Sequence, residues 1–240
     1  MKKLLNSSLA LCAILILAAQ SPAQKRTPRP AQKPAATSTP APTPSASPSP
    51  TPQPTPAAEP FDAATVEQMA AQCVRLETEA GTIEMKMLPE VAPETVRNFL
   101  NLVATGAYDT TTFSRVVKNF VIQGGNLSTR ENLTPALAVR SRRTIPDEPG
   151  QVKHVRGVVS MARPDRPNAA TTHFFILVSE AASLNGTFAA FGRVTKGMDV
   201  VDAINKVAVE GETPLTPVRV GSAVVFACPA SPASPASPAQ

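Results

Sequence analysis

The residues best able to do chemistry lie in three runs of the chain. The first, Phe113-Ser114-Arg115-Val116-Val117-Lys118-Asn119-Phe120-Val121-Ile122-Gln123-Gly124-Gly125, sets one arginine and one amide among apolar side chains. The second is Gly157-Val158-Val159-Ser160-Met161-Ala162-Arg163, followed after a short Pro/Asn loop by Thr172-His173-Phe174-Phe175-Ile176-Leu177. The third runs from Leu184 through Phe188 to Val194. An arginine in a strand-like apolar run has two readings. Its stem can cover apolar surface while its head reaches water, or its rigid, permanently charged fork can stand as a donor at the wall of an apolar pocket. On residue type and periodicity alone Phe120, Val121, Phe175, Leu184 and Phe188 read as plain core positions of strands. Other chemistries lack their residues. The two histidines, His154 and His173, show no metal-ligand or thiol–imidazole spacing with the cysteines. Nothing in the sequence suggests a phosphate loop or a nicotinamide fold.

In this order and spacing the three runs resemble the cyclophilin family of peptidyl-prolyl isomerases, in particular its shorter bacterial members, over about Val74 to Phe226. The resemblance implies torsion about X–Pro bonds. Amide resonance gives such a bond a barrier of about 18–20 kcal/mol, while its isomers differ by only about 0.5–1 kcal/mol, so the difficulty is rate. No nucleophile, metal, cofactor or proton shuttle is required. A donor aimed at the proline nitrogen or its neighbouring carbonyl weakens the resonance as the lone pair localises. By family correspondence Arg115 is that donor, and Gln123 is the amide that bonds substrate backbone and steadies it. Phe120, Val121, Phe175 and Leu184 correspond to the proline pocket, with Phe188 near its rim. Ala162 and Arg163 correspond to the segment that pairs with substrate backbone, and His173 to a hydrogen-bonding residue of the pocket wall. The chain departs from the better-known pattern at Ser114, where many members have histidine, and at His173, where they have glutamine. Ser183 replaces a tryptophan and Phe188 a histidine. The missing tryptophan implies weak or no cyclosporin binding.

These residues need a scaffold. Val74–Thr78 and Ile83–Leu88 alternate apolar and polar residues around Glu79-Ala80-Gly81, the pattern of a half-buried hairpin. Pro93 and Glu94 suit a helix start. Val96, Phe99, Leu100 and Val103 then recur at the helical period, and Gly106 ends the run. A second helix is expected over about Gly197 to Lys206. Further strands are expected at Val116–Gln123, Gly157–Ala162, Phe174–Ser179, Ala189–Val194 and Val218–Phe226. Periodicity alone predicts a mainly β domain with two helices. The resemblance implies a closed antiparallel barrel of about eight strands capped by those helices.

The chain ends read differently. Lys2 and Lys3 followed by the apolar run Leu9–Ala19 have the form of a secretory signal peptide, cut after Ala19 or Ala23. The run is too short for a stable bilayer span. Acylation at Cys12 fits poorly, because Leu11 is bulky and Cys12 lies inside the run. The predicted organisation is signal peptide 1–23, Pro-rich linker 24–60, isomerase domain 61–228 and a Pro/Ala/Ser tail 229–240. The linker has no large apolar residues to offset ordering entropy, so it is expected to be disordered, rich in polyproline II and up to roughly 100 Å long. It reads either as a stalk or as an inert leader. The formal net charge of +5 comes from the ends: 17 basic and 17 acidic residues balance between Phe61 and Cys228. A nucleic-acid footprint is therefore absent, and Arg140, Arg142 and Arg143 read as a solvated charge run. Export places the mature chain in the periplasm or outside the cell. There the resemblance brings the terminal strands together and implies a Cys73–Cys228 disulfide, against a reading of two free thiols at frayed ends. The expected protein is a monomeric, cofactor-free isomerase of Pro-containing exported polypeptides. The alternative is a non-catalytic module that holds Pro-containing segments.

Overall fold

A computed structural model describes residues 58–229. The signal peptide, most of the linker and the tail beyond Pro229 lie outside these residues. In chain order the elements are α1 (Val66–Ala70), β1 (Gln72–Thr78), β2 (Gly81–Met87), α2 (Pro93–Ala104), β3 (Arg115–Val117), β4 (Val121–Gly124) and α3 (Pro135–Arg140). They continue with β5 (Val158–Met161), β6 (Phe174–Leu177), β7 (Ala190–Lys196), α4 (Met198–Asn205), β8 (Val209–Glu210), β9 (Thr213–Pro214) and β10 (Val220–Ala227). Eight strands form one antiparallel sheet in the order β10-β1-β2-β7-β5-β6-β4-β3, and β8 and β9 pair separately. Among the described residues no helix is long and apolar enough to cross a membrane.

The sheet curls, helped by register shifts at Glu77/Thr78, Glu84/Met85 and Val159/Ser160, since an extra residue on one strand increases local twist. The expected closed barrel is not reached by a continuous ladder. The outer strands β10 and β3 are not paired, and the segments leading into them meet at a single bridge, Thr112 to Arg219. Beside it, Phe113 N donates to Val218 O at 2.9 Å and Val220 N to Thr111 O at 2.8 Å.

The α2 helix buries the face its period predicts, with Val96, Phe99 and Leu100 fully enclosed. Its first turn is capped from a distance: the Glu148 carboxylate accepts from Glu94 N at 3.0 Å and Thr95 N at 2.7 Å. Phe99 stands at the centre of the core, 5.3 Å from Tyr108, 5.3 Å from Phe174 and 4.9 Å from Phe191 between ring centroids. Two short helices join the two that were expected. The Thr65–Gln68 capping box starts α1, and Thr134 caps α3 with Pro135 in its first turn. Both signals are local and present in the sequence. Arg140, read above as part of a solvated run, is instead largely enclosed. It pairs with Glu59 and donates from Nη2 to Asn98 Oδ1 at 2.9 Å. Glu59, counted above with the linker, is therefore tied to the folded unit.

Cys73 and Cys228 form a disulfide with Cα atoms 4.9 Å apart. β1 and β10 are antiparallel neighbours, with Cys73 opposite Phe226, so the bond joins the start of one to the end of the other.

Candidate active site

One expected strand is interrupted at the site. Val116–Gln123 is not continuous: β3 and β4 form a hairpin with Val117 opposite Val121, turning through Lys118, Asn119 and Phe120. Apolar residues on both sides hide the turn from a periodicity reading. The available signal is Lys118-Asn119, because asparagine tolerates the left-handed region, and Asn119 has φ +57°. Asn205, buried at the end of α4, holds the hairpin. Its Nδ2 donates to Val117 O at 2.8 Å and Val121 O at 3.2 Å, and its Oδ1 accepts from Asn119 N at 2.9 Å. Phe120 O also accepts from Val178 N at 2.9 Å. Replacing Asn205 by alanine strands the buried Val121 carbonyl and two partly buried backbone groups, and is expected to cost about 1–3 kcal/mol of stability in chemical denaturation. A loss below about 0.5 kcal/mol, within the range of an ordinary surface change, would remove this clamp from the account.

The hairpin places Arg115 directly opposite Gln123. The same row continues across the sheet, Gln123 opposite Phe175 on β6 and Phe175 opposite Ser160 on β5. Alternate residues along a strand face opposite sides, and the packing divides accordingly. Val116, Ile122, Phe174, Ile176 and Val159 enter the main core. Val121, Phe175, Leu177 and Val158 form a smaller cluster with Phe120, Ala162, Leu184 and Phe188 around it. The proposed pocket residues are thus not positions of the main core.

Arg115, Phe120, Val121, Gln123, Ala162, Arg163, Phe175, Leu184 and Phe188 line one pocket of about 230 Å³. Phe188 stands edge-on to Phe175 at 5.8 Å, and the Arg163 guanidinium lies 5.3 Å from the Phe188 ring centre. Arg163 is anchored by Asp147 at 3.5 Å. Arg115 Nη1 donates to Gln123 Oε1 at 3.2 Å, and its Nε donates to Glu212 Oε2 at 2.6 Å. Sequence reasoning missed Glu212, which lies 97 positions from Arg115. His173 does not line this pocket. It borders an adjoining hollow of about 250 Å³ that shares Gln123, Ala162 and Arg163. Burial lowers its pKa below the usual imidazole value, which favours the neutral ring. Its carbonyl accepts from Ala162 N at 2.9 Å. Ser183, at the position of the missing tryptophan, is exposed.

The glycine pair after Gln123 serves packing. A Cβ on Gly124 would press on the Phe113 and Phe174 rings at 3.3 Å, and Gly125, at φ +82°, would put one 2.2 Å from Thr172 O. Only glycine accommodates both that φ and that contact.

An apolar pocket with a charged, planar donor at its edge suits a reaction needing hydrogen-bond donation and no bond-making. Comparison with known proteins agrees. The family model described as cyclophilin type peptidyl-prolyl cis-trans isomerase/CLD matches residues 73–225. The peptidyl-prolyl cis-trans isomerase cyp18 of Streptomyces antibioticus is 39% identical over 166 residues, covering 64% of this chain and 98% of its own. Peptidyl-prolyl cis-trans isomerase A of Dickeya dadantii is 34% identical over 167 residues, covering 64% of this chain and 84% of its own. A crystal structure of a Cryptosporidium parvum cyclophilin type peptidyl-prolyl cis-trans isomerase, in the presence of the dipeptide Ala-Pro, superposes with a TM-score of 0.58 at 27% identity. It covers 65% of this chain and 99% of that one. The chain belongs to the cyclophilin-type peptidyl-prolyl cis-trans isomerases.

Proposed function

We propose that this isomerase acts on Pro-containing polypeptides outside the cytoplasm, seating the proline ring among Phe120, Val121, Phe175, Leu184 and Phe188. Arg115 then donates to the amide as it twists. The observation that carries this reading is the in-register pair Arg115–Gln123 at the edge of an apolar pocket. Nη2 of Arg115 is used by neither Gln123 nor Glu212 and is available to a substrate. As the bond twists, the nitrogen lone pair localises, and a fixed charged donor stabilises that state more than the planar one. Ala162 and Arg163 offer main chain to the peptide beside the pocket, with His173 as a neutral polar wall of the adjoining hollow. The dipeptide Ala-Pro, in whose presence the Cryptosporidium relative was crystallised, belongs to the same chemical class.

Export is supported by the Lys2-Lys3 and Leu9–Ala19 pattern and by a disulfide suited to an oxidising compartment. Weak or absent cyclosporin binding follows from exposed Ser183 in place of tryptophan. The protein acts as a monomer without a cofactor, and its charge-balanced domain has no affinity for nucleic acid. A protease-coupled assay on an Ala-Pro peptide tests the activity: a rate equal to the uncatalysed one, together with measurable peptide binding, would favour the non-catalytic binding module.

Removing residues 21–57, which spares Glu59 and its pair with Arg140, is expected to leave the rate on a short peptide unchanged, because this segment has no apolar periodicity with which to shape the pocket. A large drop in rate with the fold intact would show that the segment docks there.

A further inference from the structure

Arg115 is gripped from two directions. Gln123 reaches it from β4, and Glu212 reaches it from outside the main sheet. Glu212 occupies the two-residue turn Gly211–Glu212 between β8 and β9, where Glu210 pairs with Thr213 and Gly211 takes φ +61°. The turn is docked on β3, for Val116 N donates to Glu212 O at 2.8 Å. One residue thus contacts β3 twice: its carbonyl fixes the turn beside Val116, and its carboxylate reaches back to Arg115. The side chains are half exposed, 41% for Arg115 and 52% for Glu212. Exposed pairs of this kind contribute little to folding stability. Their geometric effect is larger. Bonds at Nε and Nη1 hold two of the three guanidinium nitrogens, which sets the plane of the fork and leaves Nη2 on the remaining side. Among the described residues Glu212 is the only acid paired with Arg115.

We infer that Glu212 is a positioning residue for catalysis, acting through Arg115 and without touching substrate. The inference rests on the reading of Arg115 as the donor to the twisting amide. Misplacement of a catalytic group by about 1 Å can cost on the order of a hundredfold in rate. Glu212→Ala leaves the Gln123 bond in place, so a smaller loss is expected, about tenfold in kcat. Affinity for a proline tetrapeptide should stay within about twofold, because the contact matters most in the transition state. Glu212→Gln keeps an oxygen acceptor for Nε–H and should recover most of the rate.

The test is a double-mutant cycle in the full chain. Protease-coupled turnover and tetrapeptide binding are measured for Glu212→Ala, Glu212→Gln, Arg115→Ala and the double variant Arg115→Ala/Glu212→Ala, with thermal melts to check folding. Interacting residues give non-additive effects, so Glu212→Ala should cost nothing further once Arg115 is gone. Wild-type turnover in Glu212→Ala, or an equal loss in both backgrounds, would overturn the positioning role. Full turnover in Arg115→Ala alone would instead show that the reading of Arg115 is wrong, and the role of Glu212 would fall with it.

Discussion

Arg115→Ala is expected to lower turnover on an X–Pro peptide by about 10²–10³-fold, the scale seen when a preorganised donor to a developing charge is lost. Arg115→Lys should recover only part of this. Lysine keeps a positive charge but cannot bond Gln123 and Glu212 while presenting a third, coplanar nitrogen to the substrate. Ground-state peptide affinity should change less than turnover in both variants, because the seat proposed for the proline ring is the aromatic and aliphatic wall of the pocket, not Arg115. Phe120→Ala supplies the contrast, since it opens the wall and should weaken binding first. Near-full turnover in Arg115→Ala, with binding lost in Phe120→Ala, would make the site a proline holder that does not use its arginine.

Loss of the Cys73–Cys228 bond should produce the largest change in stability. The bond closes a segment with a sequence separation of 155, and for a ring of that size the chain-entropy model gives about 5 kcal/mol. Measured gains are often nearer 2–4 kcal/mol. The denaturation midpoint of the wild type should therefore fall on reduction, whereas a Cys73→Ala/Cys228→Ala variant should be insensitive to reductant and match the reduced protein. No residue lining the pocket lies on β1 or β10, so turnover under folding conditions should persist without the bond. Two free thiols titrated in the oxidised protein would show that the bond does not form.

Much of the scaffold was legible because its signals are local. The β1–β2 hairpin, α2 and α4 each follow from a two- or 3.6-residue period with a recognisable start or stop. The capping box at Thr65–Gln68 and the Thr134-Pro135 start of α3 are equally local signals, but helices of five and six residues are too short to show a sustained hydrophobic period. The identities of the site residues came from three ordered runs resembling a family, not from periodicity. Physical reading alone left Arg115 divided between a surface cation and a pocket donor, and left Phe175 and Leu184 indistinguishable from core.

Other features were decided only by tertiary structure. A turn inside Val116–Gln123 is nearly invisible in an apolar run. It becomes visible through Asn205, which grips Val117, Asn119 and Val121 from α4, more than eighty positions away. Glu148 as the cap of α2, Glu59 as the partner of Arg140 and Glu212 as the partner of Arg115 belong to the same class. The division of the sheet into a main-core face and a pocket face likewise depends on which strands become neighbours. By itself the sequence determined the local elements, the charge balance of the domain and the side chains available for a proline site. The fold decided which of them meet, because a hydrogen bond depends on distances of about 3 Å that strand order and register impose and that local periodicity does not carry.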